Sequence, residues 1–166
     1  FIKINIFGST GIIGCKTLKL IQSYFPKIKI NLLVANKNLN LIIRQINKFE
    51  PKFVYIEDEK TSYLLRKKIS GKKTTLIPKG DLSLFLNKTK SEMSLLAISG
   101  YNSLNYLEAI VKNTNNLGIV SKEAIVSAGH LFKKLKFFNR TNIFPIDSEH
   151  FSLFNFLGNK LAIMEY

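Results

Sequence analysis

Apolar runs of strand length alternate with helix-length segments from the start of the chain to about residue 157. This alternation is typical of consecutive βαβ units, which build a parallel sheet. Most of the apolar runs are nearly continuous, as expected of strands that helices cover on both faces. We therefore predict an α/β fold of the Rossmann-like, doubly wound type, with a mostly parallel sheet and helices on both faces.

The pattern also predicts where the individual elements lie. The predicted strands are 2–7, 28–35, 53–56, 74–77, 94–98, 118–120 and 142–146. The predicted helices begin near Gly11, Leu39, Glu59, Asp81, Ser103, Lys122 and Glu149. Asp81 precedes an apolar segment and is a candidate helix cap. No Pro-, Gly- or Ser-rich linker interrupts this stretch, so we expect one main domain.

Length and composition limit the class of protein. A chain of 166 residues with 46% hydrophobic content can build one ordinary domain with its own core. It contains no apolar run of about 18 residues, the length that a membrane span requires, and we expect a soluble, cytoplasmic protein with no membrane partner. The single cysteine, Cys15, has no cysteine with which to form an intrachain disulfide.

The net charge of +14 would attract polyanions such as nucleic acids or phosphorylated small molecules. Only three of the 25 basic residues are arginines, the residue type that makes many contacts to phosphates and bases. The charge is therefore interpreted as a general lysine bias, and no nucleic-acid partner is predicted.

Three glycines follow the first predicted strand at three-residue spacing: Gly8, Gly11 and Gly14. Such a turn lets a diphosphate approach the backbone N–H groups at the start of the next helix, whose partial positive charge favours anions. The position of the turn, at the first strand-to-helix junction, makes the motif more specific. A tight turn that binds no ligand is the alternative.

The end of the second predicted strand bears on which dinucleotide the turn would hold. NAD-binding folds usually place an acidic residue about twenty positions after the glycines, where it binds the ribose hydroxyls. Here residues 34–38 read Val-Ala-Asn-Lys-Asn and contain no acid. Lys37 would instead attract a 2′-phosphate, which favours NADP. The alternative is that Lys37 is an ordinary surface lysine.

Polar residues also follow two later strands, at the edge of the sheet where open α/β folds place their sites. Asp147 and Glu149 could together bind a hard divalent cation, and Ser148 between them could bind a ligand; a helix cap explains the three residues equally well. After the preceding strand, Lys122 could hold an anionic substrate and Glu123 a cofactor. An ordinary helix start is the alternative there.

Taken in order, these segments resemble the 1-deoxy-D-xylulose 5-phosphate reductoisomerase family. That family has a Gly-Ser-Thr-Gly-Ser-Ile-Gly turn, an Asn-Lys-Glu segment and a Pro-Val/Ile-Asp-Ser-Glu-His segment. The matching stretches here are 8–14, 122–123 and 145–150, supported by 97–100, and the resemblance runs to about Leu157. The last motif is the most specific of them.

The resemblance implies conversion of 1-deoxy-D-xylulose 5-phosphate to 2-C-methyl-D-erythritol 4-phosphate, in the non-mevalonate isoprenoid pathway. It implies NADPH and Mg²⁺ or Mn²⁺ as cofactors, a phosphorylated sugar as substrate, and a homodimer for the full-length family. Carried over residue by residue, the cofactor would contact Gly8, Thr10, Gly11, Ile12, Ile13, Ala35, Asn36, Lys37, Asn38, Ser121 and Glu123. The substrate would contact Lys122, Ser148 and Glu149, the metal ligands would be Asp147 and Glu149, and the catalytic residues would be Lys122 and Glu149.

Three positions depart from the family pattern: Ile12 and Ser121 replace a serine and an asparagine, and Ser103 stands where the family has a glycine. We expect an NADPH-binding domain over 1–150 and the start of a catalytic domain over 151–166. The family's further catalytic groups have no counterpart after Leu157, so we expect this polypeptide to bind NADPH without turning over substrate. The rival hypotheses are another NADP-dependent dehydrogenase of the same fold, and a non-catalytic NADP- or polyanion-binding module.

Overall fold

The structure is a computed structural model that describes residues 2–139, 141–146, 148, 151–152 and 155. Within them the strands are β1 Lys3–Phe7, β2 Lys29–Ala35, β3 Phe53–Ile56, β4 Thr75–Leu76, β5 Ser91–Leu96, β6 Thr114–Ile119 and β7 Asn142–Pro145. The helices are α1 Ile12–Tyr24, α2 Leu39–Phe49, α3 Glu59–Lys68, α4 Leu82–Lys88, α5 Leu104–Lys112 and α6 Lys122–Asn139. A single 3₁₀ turn, Tyr101–Ser103, precedes α5. The described helices contain none that is long and apolar enough to cross a membrane.

All seven strands lie in one parallel sheet with the order β4-β3-β2-β1-β5-β6-β7. The chain winds outward from β1 to β4, returns to the other side of β1 with β5, and continues outward to β7. This arrangement confirms the predicted Rossmann-like, doubly wound fold. The order reverses between β1 and β5, and open α/β sheets bind ligands at the carboxyl ends of the strands beside such a reversal.

Side chains that alternate along each strand build a separate core on each face of the sheet. Leu33 of β2 belongs to a cluster with Leu18 of α1 and Ile42 of α2. Its neighbour Leu32 points to the opposite cluster, which contains Leu107 of α5. Both faces of the central strands are therefore buried, which explains why the strands read as continuous apolar runs.

The two helices that follow β2 and β3 begin at side-chain caps. The Oδ1 atom of Asn38 accepts a hydrogen bond of 3.1 Å from the N–H of Leu41 at the start of α2. Asp58 accepts bonds from the N–H and the hydroxyl of Thr61, at 2.9 and 2.7 Å, at the start of α3. These bonds favour the ionised carboxylate and lower the pKa of Asp58.

Some predicted boundaries are wrong, for a common reason. β5 begins at Ser91 instead of residue 94, and β6 begins at Thr114 instead of residue 118. Ser91 and Thr114 are buried, and the hydroxyl of Ser91 donates a hydrogen bond of 3.2 Å to the hydroxyl of Thr114. Both residues therefore belong to the sheet, although they are polar and lie outside the apolar runs from which the strands are predicted. The helix start predicted at Asp81 is correct, since Asp81 is the N-cap residue of α4, but its side chain makes no capping hydrogen bond.

Candidate functional site

A cleft of about 430 Å³ opens at the carboxyl edge of the sheet, beside the β1–β5 reversal. Its walls are the glycine turn after β1, the ends of β2 and β3, and the segment that leads from β5 into α5. The residues that line it are Gly8, Thr10, Gly11, Val34, Ala35, Asn36, Glu57, Ala97, Ile98, Ser99, Asn102, Asn105 and Tyr106.

The glycine turn has a shape that only glycine can adopt at two positions. Gly8 has a φ of +85°, and a Cβ atom there would lie 2.6 Å from the carbonyl oxygen of Ala97. A Cβ atom on Gly14 would lie 2.7 Å from the Cα of Ser9. The N–H groups of Gly8 and Ser9 both donate to the carbonyl of Val34, at 2.9 Å. The turn therefore lies tightly against β2 and β5 and holds the start of α1 at the cleft.

Unused backbone donors at the start of α1 suit the turn to an anion. Gly11 is the N-cap of this helix and provides no side-chain cap, and the first helical turn has no acidic residue. The N–H groups of Ile12 and Ile13 have no acceptor among the described residues. Free N–H groups and the positive end of the helix dipole together attract a phosphate or carboxylate. A dinucleotide diphosphate therefore fits this end of the cleft.

The underside of the turn is supported by α2. The Nε2 atom of Gln45 donates a hydrogen bond of 2.7 Å to the carbonyl of Ser9, and both residues are buried. The thiol of Cys15 also points to this carbonyl, with Sγ at 3.5 Å. The turn is thus fixed by three neighbouring elements before any ligand binds.

The wall opposite the turn carries a polar pair. The hydroxyl group of Tyr106 on α5 donates a hydrogen bond of 2.7 Å to Oε2 of Glu57, which directly follows β3. Burial, and then the neighbouring carboxylate, strongly raise the pKa of the Tyr106 phenol, so it is the proton donor of the pair. Burial likewise raises the pKa of Tyr55, whose phenol lies near the same carboxylate.

The predicted cofactor residues divide into two groups. Five of them line the cleft together: Gly8, Thr10, Gly11, Ala35 and Asn36. The side chains of Ile12 and Ile13 are exposed at the start of α1, and Lys37 and Asn38 are exposed just beyond the end of β2.

The predicted residues after β6 lie at the same edge of the sheet but do not line the cleft. Ser121 is buried, and its hydroxyl donates to Oε2 of Glu123 at 2.9 Å and accepts from the N–H of Ala124 at 3.3 Å. Ser121 is therefore the cap of α6, while Lys122 is exposed. Their roles toward cofactor and substrate stay predictions.

The predicted metal ligands, Asp147 and Glu149, lie outside the described residues. The strand before them, β7, is three positions from β1 in the sheet and ends at the same edge. The N–H of Ile146 donates to the carbonyl of Ile119 at 2.7 Å, and Ser148 is exposed in a helical turn. The part of the chain that the structure describes contains no cluster of three His, Cys, Asp or Glu residues suited to a metal ion.

Besides Ser99, which the sequence analysis noted only as part of the stretch 97–100, sequence reasoning missed four polar residues of the cleft: Glu57, Asn102, Asn105 and Tyr106. Glu57 follows a correctly predicted strand, so the rule that drew attention to Lys122 and Asp147 could have found it. The other three lie in the 3₁₀ turn and α5, and no spacing in the sequence shows which face of α5 meets the cleft.

Comparison with known proteins agrees with this geometry. Residues 4–129 match a sequence model of the family described as 1-deoxy-D-xylulose 5-phosphate reductoisomerase. The reductoisomerase of Pelagibacter ubique is 36% identical over 159 residues, which cover 95% of this chain and 41% of the relative. The reductoisomerase of Thermodesulfovibrio yellowstonii is 36% identical over 154 residues, which cover 92% of this chain and 40% of the relative. The chain thus spans about two fifths of the length of these curated relatives.

Solved structures of reductoisomerases share the fold of this chain. The reductoisomerase from Zymomonas mobilis in complex with NADPH superposes with a TM-score of 0.81 at 25% identity, over 90% of this chain and 39% of that chain. A reductoisomerase in complex with NADPH, fosmidomycin and magnesium shares the fold, with a TM-score of 0.82 at 24% identity, over 90% and 37% of the two chains. Because the family match covers most of the sequence, the chain belongs to the 1-deoxy-D-xylulose 5-phosphate reductoisomerase family.

Proposed function

We propose that this chain forms the NADPH-binding part of an enzyme that converts 1-deoxy-D-xylulose 5-phosphate to 2-C-methyl-D-erythritol 4-phosphate. One observation carries the proposal: unpaired N–H groups lie at the start of α1, directly after Gly11, which lines a cleft beside the strand-order reversal. The family match and the NADPH complex of the Zymomonas mobilis relative support it.

The cleft offers a place for each part of the adenosine half of the cofactor. The turn from Gly8 to Ile13 would hold the diphosphate, and Ala35 and Asn36 would contact the ribose. Lys37, one residue further, would pair with the 2′-phosphate that distinguishes NADPH from NADH. Ser121 and Glu123, at the end of β6, would contact the other end of the cofactor. NADPH, when bound, supplies the hydride for the reduction step.

NADPH should bind more tightly than NADH, and Lys37→Gln should remove most of the difference. We expect NADPH affinity to fall about tenfold, because the lysine and the phosphate form a partly exposed charge pair. The affinity for NADH should not change. Titration by cofactor fluorescence at low and moderate salt measures both.

Lys90→Gln is the matched control. It removes the same charge from an exposed lysine at the opposite edge of the sheet, just before β5. If wild-type protein binds both dinucleotides equally, and both weaken together as salt rises, the chain is a polyanion binder and the proposal is wrong.

For the metal and substrate we propose the residues after β6 and β7. Asp147 and Glu149 would ligate Mg²⁺ or Mn²⁺, and Lys122 and Ser148 would hold the phosphorylated substrate, with Glu149 touching it as well. A divalent ion there would stabilise negative charge that develops on substrate oxygens. The placement of β7 at the same edge as the cleft supports this assignment.

The double variant Asp147→Asn, Glu149→Gln should bind Mn²⁺ more weakly than the unmodified chain, because both predicted carboxylate ligands are neutralised. Titration of Mn²⁺ followed by electron paramagnetic resonance measures the free ion directly. The control with the same change of net charge is the double variant Asp81→Asn, Glu59→Gln, which neutralises two exposed acids elsewhere in the chain. Equal binding by the two double variants would contradict the assignment.

A further inference from the structure

Glu57 places a negative charge in a cleft that we propose holds a polyanion. Among the described residues that line the cleft, it is the only carboxylate. A carboxylate near bound phosphates lowers the affinity for them by repulsion, unless it receives a hydrogen bond from another part of the ligand. The position of Glu57 therefore raises the question of which donor on a nucleotide could reach it.

Distance along the sheet answers part of this question. The glycine turn follows β1, whereas Glu57 follows β3, which lies two strand spacings or roughly 9–10 Å away. Ala35 and Asn36, at the end of β2, lie between the two. The N–H of Glu57 donates to the carbonyl of Ala35 at 3.0 Å, which fixes the acid next to the predicted ribose position. The part of a nucleotide that lies beyond its ribose is the base.

Tyr106 holds the carboxylate in a defined orientation. Its phenol donates to Oε2 at 2.7 Å, and its ring lies 6.0 Å, centre to centre, from that of the buried Phe7. A carboxylate can accept about four hydrogen bonds, so the bond from Tyr106 and the nearby phenol of Tyr55 still leave acceptor positions for a ligand. Asn102 and Asn105, which precede Tyr106 in the chain, also line the cleft and offer amide groups.

We infer that Glu57, positioned by Tyr106, recognises the adenine base through its exocyclic 6-amino group. This inference rests on the proposed function, because it concerns the adenine end of the same dinucleotide. The amino group is the hydrogen-bond donor that a carboxylate requires. A base with an oxo group at that position would present a second acceptor to the carboxylate and would be rejected.

The test compares reduced nicotinamide adenine dinucleotide phosphate with its hypoxanthine analogue, which carries the oxo group in place of the amino group. The nicotinamide, riboses and phosphates are the same in both compounds, so the contacts that the glycine turn and Lys37 make to them do not change. We expect wild-type protein to bind the analogue at least tenfold more weakly. Fluorescence titration of the nicotinamide measures both affinities.

Glu57→Gln should reduce the ratio of the affinities for NADPH and the analogue to about threefold or less. The variant should bind the analogue more tightly than wild-type protein does, because a carboxamide can donate a hydrogen bond to the oxo group. Tyr106→Phe should lower this affinity ratio by a smaller amount, because the Glu57 carboxylate loses the hydroxyl group that orients it. Glu59→Gln is the control, since it neutralises an exposed acid two residues away; it should keep full discrimination.

The outcomes separate the two proposals. Absence of NADPH binding by wild-type protein would overturn the proposed function itself. Tight NADPH binding with equal affinity for the analogue would leave that function standing and overturn the role of Glu57. Full discrimination retained in Glu57→Gln would do the same. The wild-type comparison requires no variant, so a variant that fails to fold still leaves a decisive measurement.

Discussion

Gly8→Ala is expected to lower the free energy of unfolding by roughly 2–4 kcal/mol and to reduce NADPH binding at least a hundredfold. An L-residue at a φ of +85° costs about 1–2 kcal/mol by itself. The new Cβ atom would also lie 2.6 Å from the carbonyl oxygen of Ala97, a backbone atom of β5's carboxyl end that cannot rotate away. The turn must then move off β5, and the N–H groups of α1 move with it.

Gly71→Ala is the matched control for this prediction. Gly71 has a φ of +81°, but no atom lies within 4 Å of the position that its Cβ would occupy. Gly71→Ala introduces the same backbone strain without a steric clash. The difference in stability between the two variants therefore measures the cost of the clash with the carbonyl of Ala97. Chemical denaturation gives both stabilities, and cofactor titration gives binding. Equal losses in stability and unchanged NADPH affinity in both variants would show that the turn is not pressed against β5 as described.

Thr10→Asp is expected to weaken NADPH binding by about a hundredfold while leaving stability nearly unchanged. Thr10 lines the cleft between the two glycines that shape the turn, where the diphosphate would lie. Two unit charges 4 Å apart repel each other by about 4 kcal/mol at an effective dielectric constant of 20, and solvent and salt reduce this value. The measurement is NADPH titration at two salt concentrations, with thermal unfolding to monitor the fold.

Thr10→Asn separates charge from size in this experiment, because asparagine has nearly the shape of aspartate and no charge. It should lose far less affinity than Thr10→Asp, and the gap between the two should narrow as salt rises. A similar loss in both variants, independent of salt, would mean that no phosphate lies near Thr10.

The arrangement of the elements could be predicted from the sequence because the doubly wound fold imposes a strong pattern. Strands buried on both faces are mostly apolar, and β3 was predicted with both of its bounds correct. The polar starts of β5 and β6 could not be recognised, since Ser91 and Thr114 satisfy each other only after the two strands are neighbours.

The candidate site was predictable to the extent that it consists of backbone. The glycine turn is recognisable because Gly8 and Gly14 leave no room for a side chain. The opposite wall depends on tertiary contacts: Glu57 and Tyr106 are 49 residues apart, and no local pattern pairs them. The family resemblance correctly identified the fold and the family, while the roles of the residues after β6 and β7 stay predictions.

The strand order also determines when the cleft can form during folding. Strands β1 to β4 are consecutive neighbours, so their pairing closes comparatively short loops. The cleft requires β5 beside β1, where Ile4 is paired with Met93, a contact between distant parts of the chain. Such pairings are slow to form. A nucleotide that binds only the completed cleft would therefore select the fully folded domain over partly folded intermediates and stabilise it by mass action.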